Sequence, residues 1–146
     1  MGMFGPSGGG GGSIDRGFQK IDAVDHVVVA IGSSKRGNFV AGIEFHYQSE
    51  TLARFGGSGT VSDAKLFNLN PDEYIAGISG QCGAFVDSVR IMTRNSVTGM
   101  ERSSDLFGGP GGPNEYIYFV EQGNSITGLW GRAGAGIDAI GVYTAK

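Results

Sequence analysis

An internal repeat constrains the fold more than any other feature of this sequence. Residues 77–93 align without gaps on residues 128–144 at an offset of 51, and six of the seventeen paired positions are identical. A fainter third copy lies upstream, where residues 37–45 align on residues 83–91 at an offset of 46. Such self-similarity is typical of folds built from repeated supersecondary units. The chain is therefore predicted to contain three related modules.

A second set of related segments falls between these copies and is rich in glycine. It covers residues 8–13, 55–60 and 107–113, which are spaced roughly 50 residues apart. Each module then has one glycine-rich loop and one Gly-x-x-x-Asp or Gly-x-x-x-Ala loop. Because the five-glycine run at residues 8–12 belongs to this set, we favour a module loop there over a flexible tail.

The local pattern predicts β-strands and no helix. No window of eleven or more residues has the i, i+3, i+4, i+7 apolar spacing of an amphipathic helix. Short apolar or alternating runs bounded by Gly, Ser, Asn or Pro are typical of all-β sandwiches, barrels and prisms. Strands are predicted at residues 26–31, 39–47, 64–69, 73–79, 85–92, 115–121, 125–130 and 137–143. Three sheets around a pseudo-threefold axis are the simplest arrangement of three such modules.

Composition and charge exclude several classes of protein. Glycine accounts for 28 of 146 residues, but it shows no Gly-X-Y period, and 40% of the residues are hydrophobic, so neither collagen nor disorder is expected. Only 11 lysines and arginines argue against nucleic-acid binding. The longest apolar run, residues 27–31, is too short to insert in a membrane. We expect one domain over residues 1–146, with residues 1–7 left open as a loosely ordered extension.

The cysteine count and the N-terminal sequence bear on cofactors and location. Cys82 is the one cysteine, which excludes an intrachain disulfide and a zinc cage built on cysteines. We expect no metal and no other cofactor. No charged and then apolar segment typical of a secretory signal is visible, so a cytoplasmic location is expected, with unconventional export left open.

The repeated aspartates suggest a site for a neutral polyol. Asp87 and Asp138 each end a glycine-opened loop where a strand begins. An isolated copy would be explained by an Asx-turn or a solvent-facing aspartate. Repetition favours binding, because a carboxylate accepts hydrogen bonds from two neighbouring hydroxyls and a facing glycine lets a sugar ring approach the backbone. We expect dissociation constants of about millimolar to tens of micromolar, with several sites acting together.

The C-terminal segment Gly128–Tyr143 resembles the closing motif of the jacalin-related lectins, especially the mannose-binding branch typified by banana lectin. The resemblance covers nearly the whole chain from Gly5, including the three glycine-rich segments. It implies an all-β, β-prism I fold of three four-stranded Greek-key sheets, metal-independent sugar binding without enzymatic activity, and a homo-oligomer, dimeric or higher. Galactose-binding members carry a free N-terminal amine at the first glycine loop. The continuous loop here favours glycans and glycoproteins that contain mannose or glucose.

The resemblance also implies which residues form a first site. It pairs Gly12 with a loop made of Gly134, Ala135, Gly136 and Asp138. The donors would be the backbone N–H groups of Gly12, Ala135 and Gly136. Asp138 would accept from two adjacent hydroxyls.

A second predicted site is related to the first by the pseudo-symmetry. It pairs Gly112 with Gly83, Ala84, Phe85 and Asp87. Phe85 replaces the glycine of the sister loop, so its ring would either stack on a sugar or anchor the loop inward. We therefore expect two sites in the chain.

The third copy is expected to be degenerate. Its loop opens at Gly37 but has Ala41 where the others have aspartate, and Thr60 replaces the second glycine of its partner loop. Banana-type lectins use this module for their second site, so the chain departs from the family pattern here.

Other chemistries are less favoured by the sequence. His26 beside Asp25 and His46 near Glu44 are more typical of surface or cross-strand partners than of a catalytic base or metal site. No helix is predicted after any glycine loop, which argues against nucleotide binding. The remaining alternative is a β-prism that serves as a protein-interaction or structural module with vestigial sugar sites.

Overall fold

The computed structural model describes residues 2–19, 21, 23–57 and 59–146, and these form thirteen β-strands in three antiparallel sheets. The strands are β1 (Gly2–Gly8), β2 (Ser13–Phe18), β3 (His26–Ser34), β4 (Gly37–Tyr47), β5 (Glu50–Gly56), β6 (Asp63–Asn68), β7 (Glu73–Cys82), β8 (Ser88–Asn95), β9 (Glu101–Ser103), β10 (Phe107–Gly108), β11 (Asn114–Phe119), β12 (Ser125–Ala133) and β13 (Ile137–Ala145). Within those described ranges the chain contains no helix, and so none that is long and apolar enough to cross a membrane. The all-β prediction is confirmed.

Each sheet is built on a central hairpin with shorter strands at its edges. The first has the order β1-β13-β12-β2, the second β10-β8-β7-β11 and the third β5-β4-β3-β6. The second differs from the predicted four strands, because β9 also pairs with β8 and gives that sheet five strands among the described residues. There the outer strand is broken by residues 104–106, where Ser104 instead bonds to Ile91 through its backbone N–H and its hydroxyl.

The chain ends meet in the first sheet. Strand β1 pairs with β13 from Gly2 opposite Thr144 to Gly8 opposite Ala139. Residues 2–7, which the sequence left open as a loosely ordered extension, thus belong to a paired strand. The glycine loop that follows is held at the end of the sheet.

The repeat forms the central hairpins, and the core lies between them. Most apolar side chains of β3–β4, β7–β8 and β12–β13 face inward, and Val29, Ile43, Ile91, Leu129 and Ile140 are among those that are fully buried. Burial of this kind stabilises each sheet against the other two.

Two backbone hydrogen bonds join the three hairpins at the pseudo-threefold axis. The N–H of Val40 donates to Val86 at 3.0 Å, and the N–H of Val86 donates to Ile137 at 2.9 Å. All three residues are fully buried and occupy equivalent places in the repeat. Each lies next to the position at which its module carries aspartate or alanine, so the candidate loops converge on one end of the prism.

Two local predictions need correction. The strand predicted over residues 85–92 begins only at Ser88, because residues 83–85 form a tight turn and Val86 makes only an isolated bridge to Cys82. In the third copy the reverse holds. Gly37 and Phe39 lie inside β4 and pair with Ser34 and Gly32 across a two-residue turn, so this copy has a tight hairpin instead of a loop.

Candidate functional site

The β12–β13 connection places Asp138 beside the glycine loop between β1 and β2. The N–H of Gly134 donates to the carbonyl oxygen of Gly136 at 2.9 Å and closes a tight turn. The N–H of Gly9 donates to the backbone oxygen of Asp138 at 2.9 Å and fixes one loop against the other. The structure thus brings together all the residues predicted for the first site, which we call the Asp138 site: Gly12, Gly134, Ala135, Gly136 and Asp138.

Bare glycine backbone surrounds the Asp138 carboxylate. A Cβ on Gly12, where φ is +62°, would overlap Oδ2 of Asp138 and stand 2.6 Å from the carbonyl oxygen of Ala133. A Cβ on Gly11 would stand 2.9 Å from Oδ1, and one on Gly134 would be 3.7 Å from Oδ2. The carboxylate is therefore framed by main chain, which leaves room for a ligand to approach.

Arg132 holds the glycine loop and was not predicted from the sequence. Its guanidinium donates to the carbonyl oxygen of Gly11 at 3.0 Å and to that of Gly12 at 3.1 Å. Burial raises the pKa of Asp138, and the positive charge of Arg132 lowers it in part. The repeat contained a signal for this residue, because it pairs Arg132 with Gln81. With its amide oriented to donate, the side-chain nitrogen of Gln81 lies 3.2 Å from the equivalent carbonyl oxygen of Gly112.

The second predicted site, the Asp87 site, repeats this construction. The N–H of Gly109 donates to the backbone oxygen of Asp87 at 2.9 Å, and the N–H of Gly83 donates to Phe85 at 2.9 Å. A Cβ on Gly112 would stand 2.5 Å from Oδ2 of Asp87. The structure therefore also brings together Gly112, Gly83, Ala84, Phe85 and Asp87.

The Asp87 site is more enclosed than the Asp138 site. Asp87 is only 8% exposed, and burial raises the pKa of its carboxyl. The ring of Pro113 crowds the loop, since a Cβ on Gly83 would stand 2.7 Å from its Cδ. The exposed Ala84 and the half-buried Phe85 form the rim.

The third copy keeps the contact between its loops but not the acceptor. The N–H of Gly57 donates to Ala41 at 2.8 Å, as Gly9 and Gly109 do in the other two copies. Ala41 is fully buried. Within the described residues, a Cβ on Gly37 would meet nothing within 4 Å, so no glycine loop faces this residue. Thr60 is exposed. The loss of the loop conformation adds to the two losses seen in the sequence.

The three glycine-rich segments and the three Gly-x-x-x-Asp or Gly-x-x-x-Ala segments alternate around the axis. A Cβ on Gly9 would stand 2.9 Å from Cα of Ala84, and one on Gly59 would stand 2.9 Å from Cα of Ala135. Gly109 lies equally close to the backbone of Asn38. Each glycine segment therefore contacts its own partner and also the next module.

The other residues considered from the sequence lie in ordinary structural settings. His26 and His46 are cross-strand partners with stacked rings 4.7 Å apart, and each bonds to a neighbouring carboxylate. Cys82 is buried, and burial together with the charge of Asp87 raises the pKa of its thiol, so the reactive thiolate is disfavoured. Within the described residues no group of three or more His, Cys, Asp and Glu side chains is placed to hold a metal ion.

Comparison with known proteins agrees with this architecture. The sequence profile of the jacalin-like lectin domain matches residues 1–143. Horcolin from Hordeum vulgare is 35% identical over 151 residues, which cover 96% of this chain and 94% of horcolin. The jacalin-related lectin Calsepa from Calystegia sepium is 28% identical over 147 residues, which cover 97% and 93% of the two chains.

Solved structures show the same arrangement of sheets. The crystal structure of Calystegia sepium agglutinin superimposes with a TM-score of 0.79 at 24% identity, over 99% of this chain and 95% of that chain. The β-prism fold and the resemblance seen in the closing motif are thereby confirmed. The chain belongs to the jacalin-like lectin domain family and is a carbohydrate-binding lectin.

Proposed function

We propose that this protein binds mannose- or glucose-type glycans, without a metal ion and without a catalytic step, through the Asp138 and Asp87 sites. The observation that carries the proposal is the Asp138 carboxylate lying between the bare backbones of Gly12 and Gly134. The same construction at Asp87 and Gly112 supports a second site. The same arrangement of two glycines and an aspartate occurs at both sites, which favours binding sites in use over vestigial ones.

The chemistry suits two neighbouring hydroxyls of a hexose. The ionised carboxylate accepts one hydrogen bond at each oxygen, and charge-assisted bonds of this kind are strong. Within the described part of the chain, the N–H groups of Gly12, Ala135 and Gly136 donate to no backbone carbonyl, so they are available to ligand oxygens. These donors are already ordered, which limits the entropy lost on binding.

The preference for mannose is supported by relatives and not by the geometry, and glucose is included on the sequence resemblance alone. Calsepa has been solved in complex with a biantennary N-glycan, and the branched core of N-glycans is built on mannose. Sites of this shallow kind gain affinity through multivalency, so we also propose a homo-oligomer. A cytoplasmic location stays a prediction from the sequence.

Isothermal titration with methyl α-mannoside tests the proposal. We expect two binding events in the chain, one event in Asp138→Ala or Asp87→Ala, and none in the double variant. The exposed Asp105 gives a control, and Asp105→Ala should bind as the wild type does. If the wild type binds no glycan in titration or on a glycan array, the vestigial-site alternative is favoured. If the double variant binds mannoside as tightly as the wild type, the sites are wrongly assigned.

A further inference from the structure

A small apolar cavity lies beside Asp138 where the three modules meet. It has a volume of 190 Å³ and is lined by the rings of Phe39 and Phe85 and by residues 135–137. Among the described residues that line it, Ser34 and Asp138 supply the only polar side chains. Pockets for drug-sized ligands measure about 300–1,000 Å³, so this one fits a single ring.

The cavity exists because the three modules differ at one equivalent position. Phe39, Phe85 and Gly136 each precede the residue that lies on the axis. Two of them place rings toward the centre, and these rings meet edge to face with centroids 5.7 Å apart. Gly136 has no side chain, which opens the space beside Asp138. At the Asp87 loop the same position is filled by Phe85.

Phe39 reaches from the degenerate copy into the Asp138 loop. A Cβ on Gly136 would stand 2.7 Å from Cε2 of Phe39, and a Cβ on Gly32 would stand 2.6 Å from the same atom. The ring is therefore held between two bare backbones and against Phe85, and it remains partly accessible. A ring fixed in this way offers a flat apolar surface at little entropic cost.

We propose that Phe39 is a specificity-determining residue of the Asp138 site and that the cavity receives the second hexose of an oligosaccharide. Asp138 holds the first hexose, and the C–H face of the second rests on the rings of Phe39 and Phe85. An apolar cavity offers water few hydrogen-bond partners, so a sugar face displaces that water readily. The degenerate copy has lost its own carboxylate and contributes a ring to its neighbour's site.

The inference rests on the proposed function and narrows it to oligosaccharides at one of the two sites. An aromatic contact of this kind should favour the best α-linked dimannoside over methyl α-mannoside by about 2- to 10-fold at the Asp138 site. The Asp87 site should show a smaller preference, because Phe85 fills the position that Gly136 leaves open.

Titration in the Asp87→Ala background tests this inference, because the heat then comes from the Asp138 site. We expect Phe39→Ala to lower the dimannoside preference to about onefold and to leave the methyl α-mannoside affinity within about twofold. Phe39→Leu keeps an apolar side chain between the two glycines and should also lose the preference. Phe119 lies at the far end of β11 and is 43% exposed, so Phe119→Ala is the matched control.

The outcomes separate the inference from the proposed function. If methyl α-mannoside binds and the dimannoside preference survives in Phe39→Ala or in Phe39→Leu, the ring is not the contact surface and the inference is wrong. A wild type that binds the monosaccharide and every dimannoside equally also overturns it. If the wild type binds no mannoside at all, the proposed function fails first and the subsite fails with it.

Discussion

At the scale of single residues, the glycines of the first loop are not equivalent. A Cβ on Gly12 would overlap the Asp138 carboxylate, and its φ of +62° lies in the left-handed region. A Cβ on Gly10 would have nothing within 4 Å. The five-glycine run therefore contains one position where a side chain would displace the Asp138 carboxylate and, two residues away, one where it would meet open space.

We predict that Gly12→Ala abolishes binding at the Asp138 site and that Gly10→Ala does not. The alanine at Gly12 displaces the carboxylate, and its left-handed backbone costs about 1 kcal/mol of folding stability. Titration with methyl α-mannoside should therefore fall from two sites to one in Gly12→Ala and stay at two in Gly10→Ala. Full binding by Gly12→Ala would show that the glycine does not frame the site.

At the scale of strands and loops, the sequence predicts the central hairpins and the edge strands β6 and β11, but it misses the other edge strands. The hairpins carry the repeat and bury both strands, so their apolar pattern is strong. β1, β2 and β5 were missed because they are glycine-rich or polar, and pairing with the hairpin makes them strands. β9 and β10 have three and two residues, too few for a pattern.

The residues of the candidate site likewise include some that the sequence could predict and some that it could not. Its glycines and aspartates could be predicted because the repeat and the family resemblance mark them. Arg132 could have been found from its alignment with Gln81. Phe39 could not, because its contact with Gly136 joins two modules that are distant in sequence. The tight hairpin at Gly37 could not be predicted either, because the repeat alignment retains a glycine there and so suggests the same loop as in the other two copies.

We predict that restoring the missing residues of the third copy does not restore a third site. The double variant Ala41→Asp, Thr60→Gly supplies the carboxylate and the glycine, but residues 37–39 stay paired with β3 and form no donor loop. The new carboxylate enters a fully buried position, and we expect a loss of about 2 kcal/mol or more in the free energy of unfolding. Titration should still show two sites, and denaturant unfolding should show the lost stability. A third binding event would refute this reading of the hairpin.

At the scale of the whole molecule, the carboxylates respond to acid in two opposite ways. A hydrogen bond from Arg102 holds the pKa of Glu73 below its usual range. The ionised Glu73 therefore stabilises the fold above pH 4.5, and this stabilisation is lost as the pH falls through the lowered pKa. Burial raises the pKa of Asp87 and of Asp138 above 3.8. The protonated forms of Asp87 and Asp138 therefore stabilise the fold. This contribution is fully present below pH 3.8 and is lost as the pH rises through the raised pKa values. The proposed sugar binding uses the ionised carboxylates, so we expect acid to weaken binding while these two groups favour the fold.

We therefore predict that both sites lose affinity for methyl α-mannoside with midpoints above pH 3.8 and that Arg132→Gln moves only the Asp138 midpoint upward. Removing the positive charge raises the pKa of Asp138 further, while glutamine keeps a donor of the kind that Gln81 supplies in the sister site. Titrations across pH in the Asp87→Ala and Asp138→Ala backgrounds isolate each site, and thermal unfolding of the same samples shows that the protein stays folded. A midpoint at the Asp138 site that stays in place or falls in Arg132→Gln would contradict the electrostatic role of Arg132. A shift of equal size at the Asp87 site would show that the substitution acts on the fold as a whole.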